Sequence, residues 1–128
     1  MSIEGKNSHD SIAVGRFGEL FVCSYLTRCL GWNVVERNVR SRYGEIDIVA
    51  KTETALVFVE VKTRQSNDFG APLEALGDAQ LARLVRQAEG YAARYDCGAV
   101  QSVCLDVVGL SIRQKYVVDF QHVRIYPM

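Results

Sequence analysis

The stretch Gly44–Arg64, GEIDIVAKTETALVFVEVKTR, constrains the fold of this chain more than any other. Two apolar, β-branched runs, Glu45–Ala50 and Ala55–Thr63, flank the polar tetrad Lys51-Thr52-Glu53-Thr54, the pattern of an antiparallel hairpin. Residues two apart in a strand share a face. Glu45, Asp47 and Val49 therefore share one face of the first strand, and Leu56, Phe58, Glu60 and Lys62 one face of the second. The opposite faces, Ile46, Ile48 and Ala50 with Val57, Val59, Val61 and Thr63, are apolar apart from the threonine. Two carboxylates and a lysine thus interrupt strands that otherwise read as buried.

Register decides whether those charges meet. A two-residue turn at Glu53-Thr54 sets Asp47 opposite Glu60. A four-residue loop sets Asp47 opposite Phe58 and Glu45 opposite Glu60. In both registers Asp47, Glu60 and Lys62 lie on one face, whereas a slip of one residue would separate them. The convergent arrangement is expected.

The 128 residues suit one domain with a modest core, expected over 11–128 after a flexible tail at 1–10. Lys plus Arg equals Asp plus Glu at 15 each, which argues against a cationic coat but leaves room for a local basic patch. Cys23, Cys29, Cys97 and Cys104 form no C-x-x-C pair and sit among apolar residues, so reduced core thiols are expected rather than a zinc site. The opening MSIEGKNSHD has no apolar core of a signal peptide, and no apolar run approaches the ~18 residues of a membrane span. A cytoplasmic protein is expected.

Around the hairpin the pattern is helix, strand, hairpin, helix, strand. A first helix spans Ser11–Leu30, capped by Asp10 or Ser11 and ended by Gly31. Glu19 falls within a stripe of Ile12, Gly15, Val22, Cys23, Leu26 and Leu30, while Val14, Phe17, Phe21 and Tyr25 lie on the other side. Such a helix is sandwiched within the fold or shared with a partner subunit. Glu19 either pairs with Arg16 or serves a site, because a lone carboxylate is costly to bury. Gly15 and Gly18 suggest close approach along this face, since each costs ~1 kcal/mol against alanine.

A strand at Trp32–Val39 leads into a turn, Arg40–Gly44. Arg37, Arg40 and Arg42 form a basic cluster there, either a solvated loop or a phosphate contact. After the hairpin, Arg64–Pro72 is a loop in which Phe69 serves as an anchor. A second helix, from an Asp78 cap to Tyr95, buries Leu81, Leu84, Val85, Ala88, Tyr91, Ala92 and Tyr95 and turns Arg83, Arg86, Gln87 and Arg94 outward. Leu73–Leu76 adds a turn before it. Ala99–Leu110 reads as a strand in which Asp106 is hydrogen-bonded within the fold, and Tyr116–Phe120 as an edge strand. His122 has no evident partner.

Asp47 and Glu60 on one face make a hard-oxygen site suited to Mg²⁺, which keeps several waters and takes substrate phosphate. The Val61 carbonyl and Glu19 are further candidate ligands. Lys62 points the same way, able to orient a water or stabilise charge on phosphate. Such a set suits phosphodiester hydrolysis. The alternative is a cross-strand ion-pair set worth ~1 kcal/mol when exposed.

Three stretches, GRFGE at Gly15–Glu19, RNVRSRYGEIDIVA at Arg37–Ala50 and LVFVEVKTR at Leu56–Arg64, resemble the YraN-like family of small bacterial proteins. That family looks like a branch of the PD-(D/E)xK restriction-endonuclease-like superfamily, near the archaeal Holliday junction resolvases. The resemblance implies an α/β fold with an αβββαβ core, a mixed sheet flanked by helices. It also implies a Mg²⁺- or Mn²⁺-dependent nuclease acting on DNA, with branched or structured DNA as the suggested substrate, and a homodimer. By the same resemblance Asp47, Glu60 and Lys62 are catalytic, and Glu19 is the helix glutamate that joins Asp47 and Glu60 at the metal, where the Val61 carbonyl is the further candidate. Arg37, Arg40, Arg42, Arg64, Arg83 and Arg86 are the expected nucleic-acid contacts. Ile46 replaces the proline of the superfamily name. Gln80 stands where relatives have lysine, and Cys104-Leu105-Asp106 where they have Arg-Phe-Asp, two losses of positive charge that bear on substrate grip. The alternatives are a non-catalytic nucleic-acid-binding or assembly module that retains the fold, and a purely structural acidic pair.

Overall fold

A computed structural model describes residues 8–65, 76–95 and 102–127. The start of the expected tail, the loop with Phe69, the turn beginning at Leu73, and Cys97 lie outside those residues. Five strands make one mixed sheet in sequence order, β1 (Asn33–Ser41), β2 (Gly44–Lys51), β3 (Ala55–Gln65), β4 (Ser102–Arg113) and β5 (Tyr116–Pro127). Helices α1 (Ser8–Ser24) and α2 (Asp78–Arg94) complete it. Neighbouring strands are antiparallel except β3 and β4, which are parallel and joined through α2. The αβββαβ order expected from the resemblance is realised, and β5 extends the sheet beyond it.

The hairpin takes the tighter of the two registers. Ile48 faces Val59 and Lys51 faces Leu56, so Glu53-Thr54 is a two-residue turn. Thr52 holds it: its N–H donates to the Ala55 carbonyl at 2.9 Å and its Oγ1 accepts from the Ala55 N–H at 2.9 Å. The period-two pattern then sorts the core into two layers. Ile48, Ala50, Val57 and Val59 pack with Val22 of α1 and Leu26 just beyond its end, while Val49, Leu56 and Phe58 pack with Leu84 and Ala88 of α2.

Several boundaries differ from expectation. α1 begins at Ser8, three residues before Ser11, and passes at Tyr25–Cys29 into a wider π-helical turn. Gly31, at φ +71°, ends it, and the Trp32 N–H reaches back to the Leu26 carbonyl at 2.9 Å, one residue further than the six-to-one bond of a regular glycine-capped helix end, as the wider π-helical turn requires. β1 continues through Arg40 to Ser41, because Ser41 pairs with Gly44 and leaves Arg42-Tyr43 as a two-residue turn. Gly77, not Asp78, is the N-cap of α2; Asp78 stands in the first turn, where the helix dipole favours an acid. Gln87, expected among the outward arginines, is buried and donates to Ser41 Oγ at 3.3 Å. β4 runs on to Arg113 and β5 to Pro127, since the two pair along almost their whole length.

The apolar two-sidedness of α1 is explained in part within the chain. Phe21 and Tyr25 meet Phe120 of β5 edge-on, at centroid distances of 5.8 and 4.7 Å. Phe17 and Leu20 stay exposed, as does Cys29, which departs from the expectation that every cysteine is a core thiol. Asp106 is bonded within the fold as expected, and His122 is its partner. Among the described residues no helix is long and apolar enough to cross a membrane.

Of the two α1 glycines, only Gly18 is confined: a Cβ there would collide with Thr63 of β3, whereas one at Gly15 meets nothing. Gly18→Ala is therefore expected to destabilise by about 1–3 kcal/mol through overpacking. In a Thr63→Ala background the same change becomes neutral or stabilising, because alanine is the better helix former. Urea denaturation of the four combinations measures both effects.

Candidate metal-binding site

The β2–β3 ladder holds as far as Ile48–Val59, and the next step would set Asp47 opposite Glu60. There a side chain takes over from the backbone. Asp47 Oδ2 accepts the Val61 N–H at 2.8 Å. Burial pushes the Asp47 carboxyl up to about 8; the Glu60 charge and, more weakly, Glu19 add to this, against the Val61 N–H. Burial raises Glu60 as well, against the pull of Lys62. The two carboxylates therefore sit in a poorly solvated place where both cannot hold a charge without a cation.

Glu60 is only 8% exposed. Its Oε2 accepts from Gln80 Nε2 of α2 at 3.1 Å and pairs with Lys62 Nζ at 3.4 Å. Its Oε1 is buried with no hydrogen-bond partner. Glu-x-Lys spacing puts Lys62 beside Glu60 because β3 stays extended through both. Gln80, a departure from the lysine of the resembled family, supplies a neutral donor to the same carboxylate.

Across from β2, α1 brings Glu19. Its Oε1 accepts from Asn38 Nδ2 at 3.0 Å. Asn38 lies within β1 at φ +52°, a left-handed conformation that asparagine tolerates better than most residues. Glu45 accepts from Arg40 Nε at 3.2 Å. Glu19, Glu45 and Asp47 each present an oxygen within 4.8 Å of the other two. The expected trio of Glu19, Asp47 and Glu60 is thus redistributed: Glu19 and Asp47 gather with Glu45, while Glu60 meets Asp47 from β3. For Val61, the group that is engaged is its N–H, on Asp47.

The expected basic residues divide among separate places. Arg37 and Arg40 line a cleft of ≈ 600 Å³ with Arg16, Glu19, Asn38 and Glu45. Arg42 and Arg86 flank the Tyr43 ring at 5.1 and 5.9 Å. Arg83 is exposed on α2, and Arg64 is half-buried near the end of β3. Glu45, Asn38, Arg16 and Gln80 escaped the sequence as site residues. Glu45 left a signal in its shared face with Asp47, Arg16 in its place beside Glu19, and Gln80 in its departure from the lysine of the resembled family; Asn38 left none.

Comparisons with known proteins are consistent in what they match. A chain from Streptomyces griseus is 41% identical over 112 residues, covering 88% of this chain and 93% of that one. One from Chloroflexus aurantiacus is 39% identical over 110 residues, covering 86% and 88%. Both carry the description UPF0102 protein. Among solved structures, Pyrococcus furiosus SfsA in complex with Ca²⁺ overlaps at a TM-score of 0.34 and 14% identity, over 93% of this chain and 64% of that one, too loosely to bear on the site. The model of the uncharacterised protein family UPF0102 matches residues 18–110, and the chain belongs to that family.

Proposed function

We propose that this chain is a divalent-cation-dependent nuclease that hydrolyses DNA phosphodiester bonds, within the restriction-endonuclease-like superfamily. The observation that carries this is the meeting of a half-buried carboxylate, Asp47, and a buried one, Glu60, beside Lys62, with one Glu60 oxygen left without a hydrogen-bond partner. An orphaned buried oxygen next to a second carboxylate fits Mg²⁺ or Mn²⁺, which bind hard oxygens. Asp47 and Glu60 would hold the ion, with Glu19 close to Asp47. When bound, such an ion lowers the pKa of its water and offsets charge at the phosphorus.

The chain's own residues account for the rest. Lys62, held by Glu60, keeps an ammonium at the carboxylate pair, where it orients the attacking water or stabilises the phosphate oxygens. Arg16, Arg37 and Arg40 offer guanidinium forks to backbone phosphates at the neighbouring cleft. Arg42, Arg83 and Arg86 extend the contact, with Arg64 beyond Lys62. Branched or structured DNA and a homodimer are the substrate and assembly suggested by the resemblance to the resolvases; Phe17 and Leu20 are exposed apolar residues available to a second copy.

A panel of single-stranded, duplex, flapped and four-way-junction DNA, incubated with Mg²⁺ or with EDTA, tests this. Cleavage is expected with Mg²⁺ only, and Lys62→Ala should slow it roughly 10²–10⁴-fold. Undiminished cleavage by that variant would remove Lys62 from the chemistry. A non-catalytic DNA-binding module is the second reading, favoured by the neutral Gln80 on Glu60. It calls for salt-sensitive DNA affinity without cleavage, weakened by charge reversal at Arg40, Arg42 and Arg83.

A further inference from the structure

Two arginines from different elements share one aromatic ring. Arg42 and Tyr43 form the β1–β2 turn, and Arg86 lies on α2, both arginines exposed. The Arg42 Cζ stands 5.1 Å from the centre of the Tyr43 ring and the Arg86 Cζ 5.9 Å, and Arg42 Nη2 donates to Tyr43 Oη at 3.0 Å. The face of an aromatic ring is electronegative and attracts such cations. It does not neutralise them. Among the described residues the ion pairs are those of Arg40, Lys62, His122 and Arg124, so neither Arg42 nor Arg86 has a carboxylate. Two cations gathered at one ring repel each other, and an anion between them relieves the repulsion.

The turn that carries Tyr43 is fastened to α2 from beneath. Gln87, next to Arg86 and 6% exposed, donates to Ser41 Oγ at 3.3 Å, and the same oxygen accepts the Tyr43 N–H at 3.1 Å. Gly44, at φ +127°, lets the chain pass, since a Cβ there would stand 3.3 Å from Gln87 Nε2. A buried amide therefore fixes a surface turn against the helix, and with it the ring that Arg42 and Arg86 share. The first turn of the same helix carries Gln80, which donates to Glu60. Gln80 and Arg86 are separated by a rise of roughly 9 Å along an α-helix, a span of on the order of three phosphates at about 3.4 Å of axis each along one DNA strand.

We propose that Tyr43 is a positioning residue for DNA, gathering Arg42 and Arg86 into a clamp for a backbone phosphate a few nucleotides from the carboxylate pair. This rests on the DNA-directed function proposed above and adds to it a residue that carries no charge. Guanidinium forks match phosphate oxygens through paired N–H donors, and a guanidinium resting on a ring keeps edge donors for that purpose. A clamp of this kind sets register and reads no bases, because phosphate contacts carry no sequence information.

Fluorescence anisotropy of the full chain with labelled duplex and four-way-junction DNA, in EDTA at low salt, tests this without cleavage. Arg42→Gln and Arg86→Gln should each weaken binding several-fold and lower the salt slope by about 1. Tyr43→Ala removes no charge, yet should weaken binding several-fold as well, and Tyr43→Phe, which keeps the ring, should recover most of the loss. In the Arg42→Gln, Arg86→Gln background Tyr43→Ala should have no further effect. Arg28→Gln, at the exposed far end of the first helical segment, controls for charge alone and should leave affinity near wild type. Thermal unfolding identifies a variant that fails to fold. If Tyr43→Ala is one, the arginine pair decides: additive losses overturn a shared clamp, and less-than-additive losses uphold it. Wild-type affinity in Tyr43→Ala, the same loss with and without the two arginines, or a Tyr43→Phe as weak as Tyr43→Ala overturns the proposal. A wild type that binds DNA through the clamp and cuts none leaves it standing while the nuclease reading falls. A wild type that binds no DNA overturns both.

Discussion

Asp47→Asn is expected to make the metal-free protein more stable while it abolishes cleavage. Burial and the charges of Glu60 and Glu19 hold the Asp47 carboxyl up to about 8, from an ordinary value of 3.8. In the unfolded chain the group loses its proton near 4; in the fold it keeps it. Between those values the folded state binds more protons, so stability falls as pH rises from about 4 to about 8. Asp47 and Glu60 titrate as a pair, and the slope belongs to both. Denaturant unfolding in EDTA should lose about 2–4 kcal/mol across that window, an amount set by roughly 1.4 kcal/mol per displaced pKa unit and reduced by residual solvation. Asp47→Asn keeps an acceptor for the Val61 N–H and removes one of the two charges, so most of the slope should vanish. Excess Mg²⁺ should flatten the wild-type profile and leave the variant unmoved. Cleavage should fall roughly 10³-fold or more, the usual scale for losing a group that stabilises transition-state charge. A variant less stable than wild type at pH 8 in EDTA would contradict the like-charge account.

Arg124→Met is expected to cost about 2–3 kcal/mol, through a carboxylate it leaves behind. Asp106 is fully buried in β4. Arg124 donates to both its oxygens, at 2.8 and 3.2 Å, and His122 Nε2 lies 2.7 Å from Oδ2. Tyr25 Oη stands 2.7 Å from His122 Nδ1, so the imidazole bridges Tyr25 and Asp106. Burial alone would raise Asp106; the bonds from His122 and Arg124 overcome it and hold the carboxyl below its ordinary range. Removing one partner of a buried pair costs about 3–5 kcal/mol, and the figure here is smaller because the Arg124 side chain is 44% exposed. The depressed carboxyl adds stability above its unfolded value near 4, stability that is lost as pH falls through the folded one. Arg124→Met should weaken that acid limb. Asp106→Leu combined with Arg124→Met should be less damaging than Arg124→Met alone, because no buried charge remains. Chemical denaturation of the single and double variants between pH 3 and pH 7 measures both.

Local pattern was enough where a strand or helix must bury one stripe. Period-two alternation in Gly44–Arg64 pointed to a hairpin, and both turn lengths it allowed put Asp47, Glu60 and Lys62 on one face, since the two registers have the same parity. The same logic identified the α2 core from Leu81 to Tyr95 and required a partner for Asp106. Alternation could not choose between two turn lengths of equal parity. Thr52 chose, by holding both Ala55 backbone groups. Nor could it reveal partners distant in sequence. His122 found Asp106 only when β5 paired with β4 past Phe120. Gln87 turned inward because Ser41, 46 residues away, offers it a hydroxyl.

The carboxylate site divides along the same line. That Asp47, Glu60 and Lys62 share one face was legible in the sequence, because strand periodicity fixes the face for either turn length, whereas the residue opposite Asp47 was not. Tertiary structure decided that Glu19 reaches Asp47 in the company of Glu45, and that Glu60 answers to Gln80 and Lys62. Those distances depend on how α1 and α2 seat on opposite faces of the sheet. That seating is set by packing, such as Gly18 against Thr63 and Val22 against the strand core, which no local period encodes.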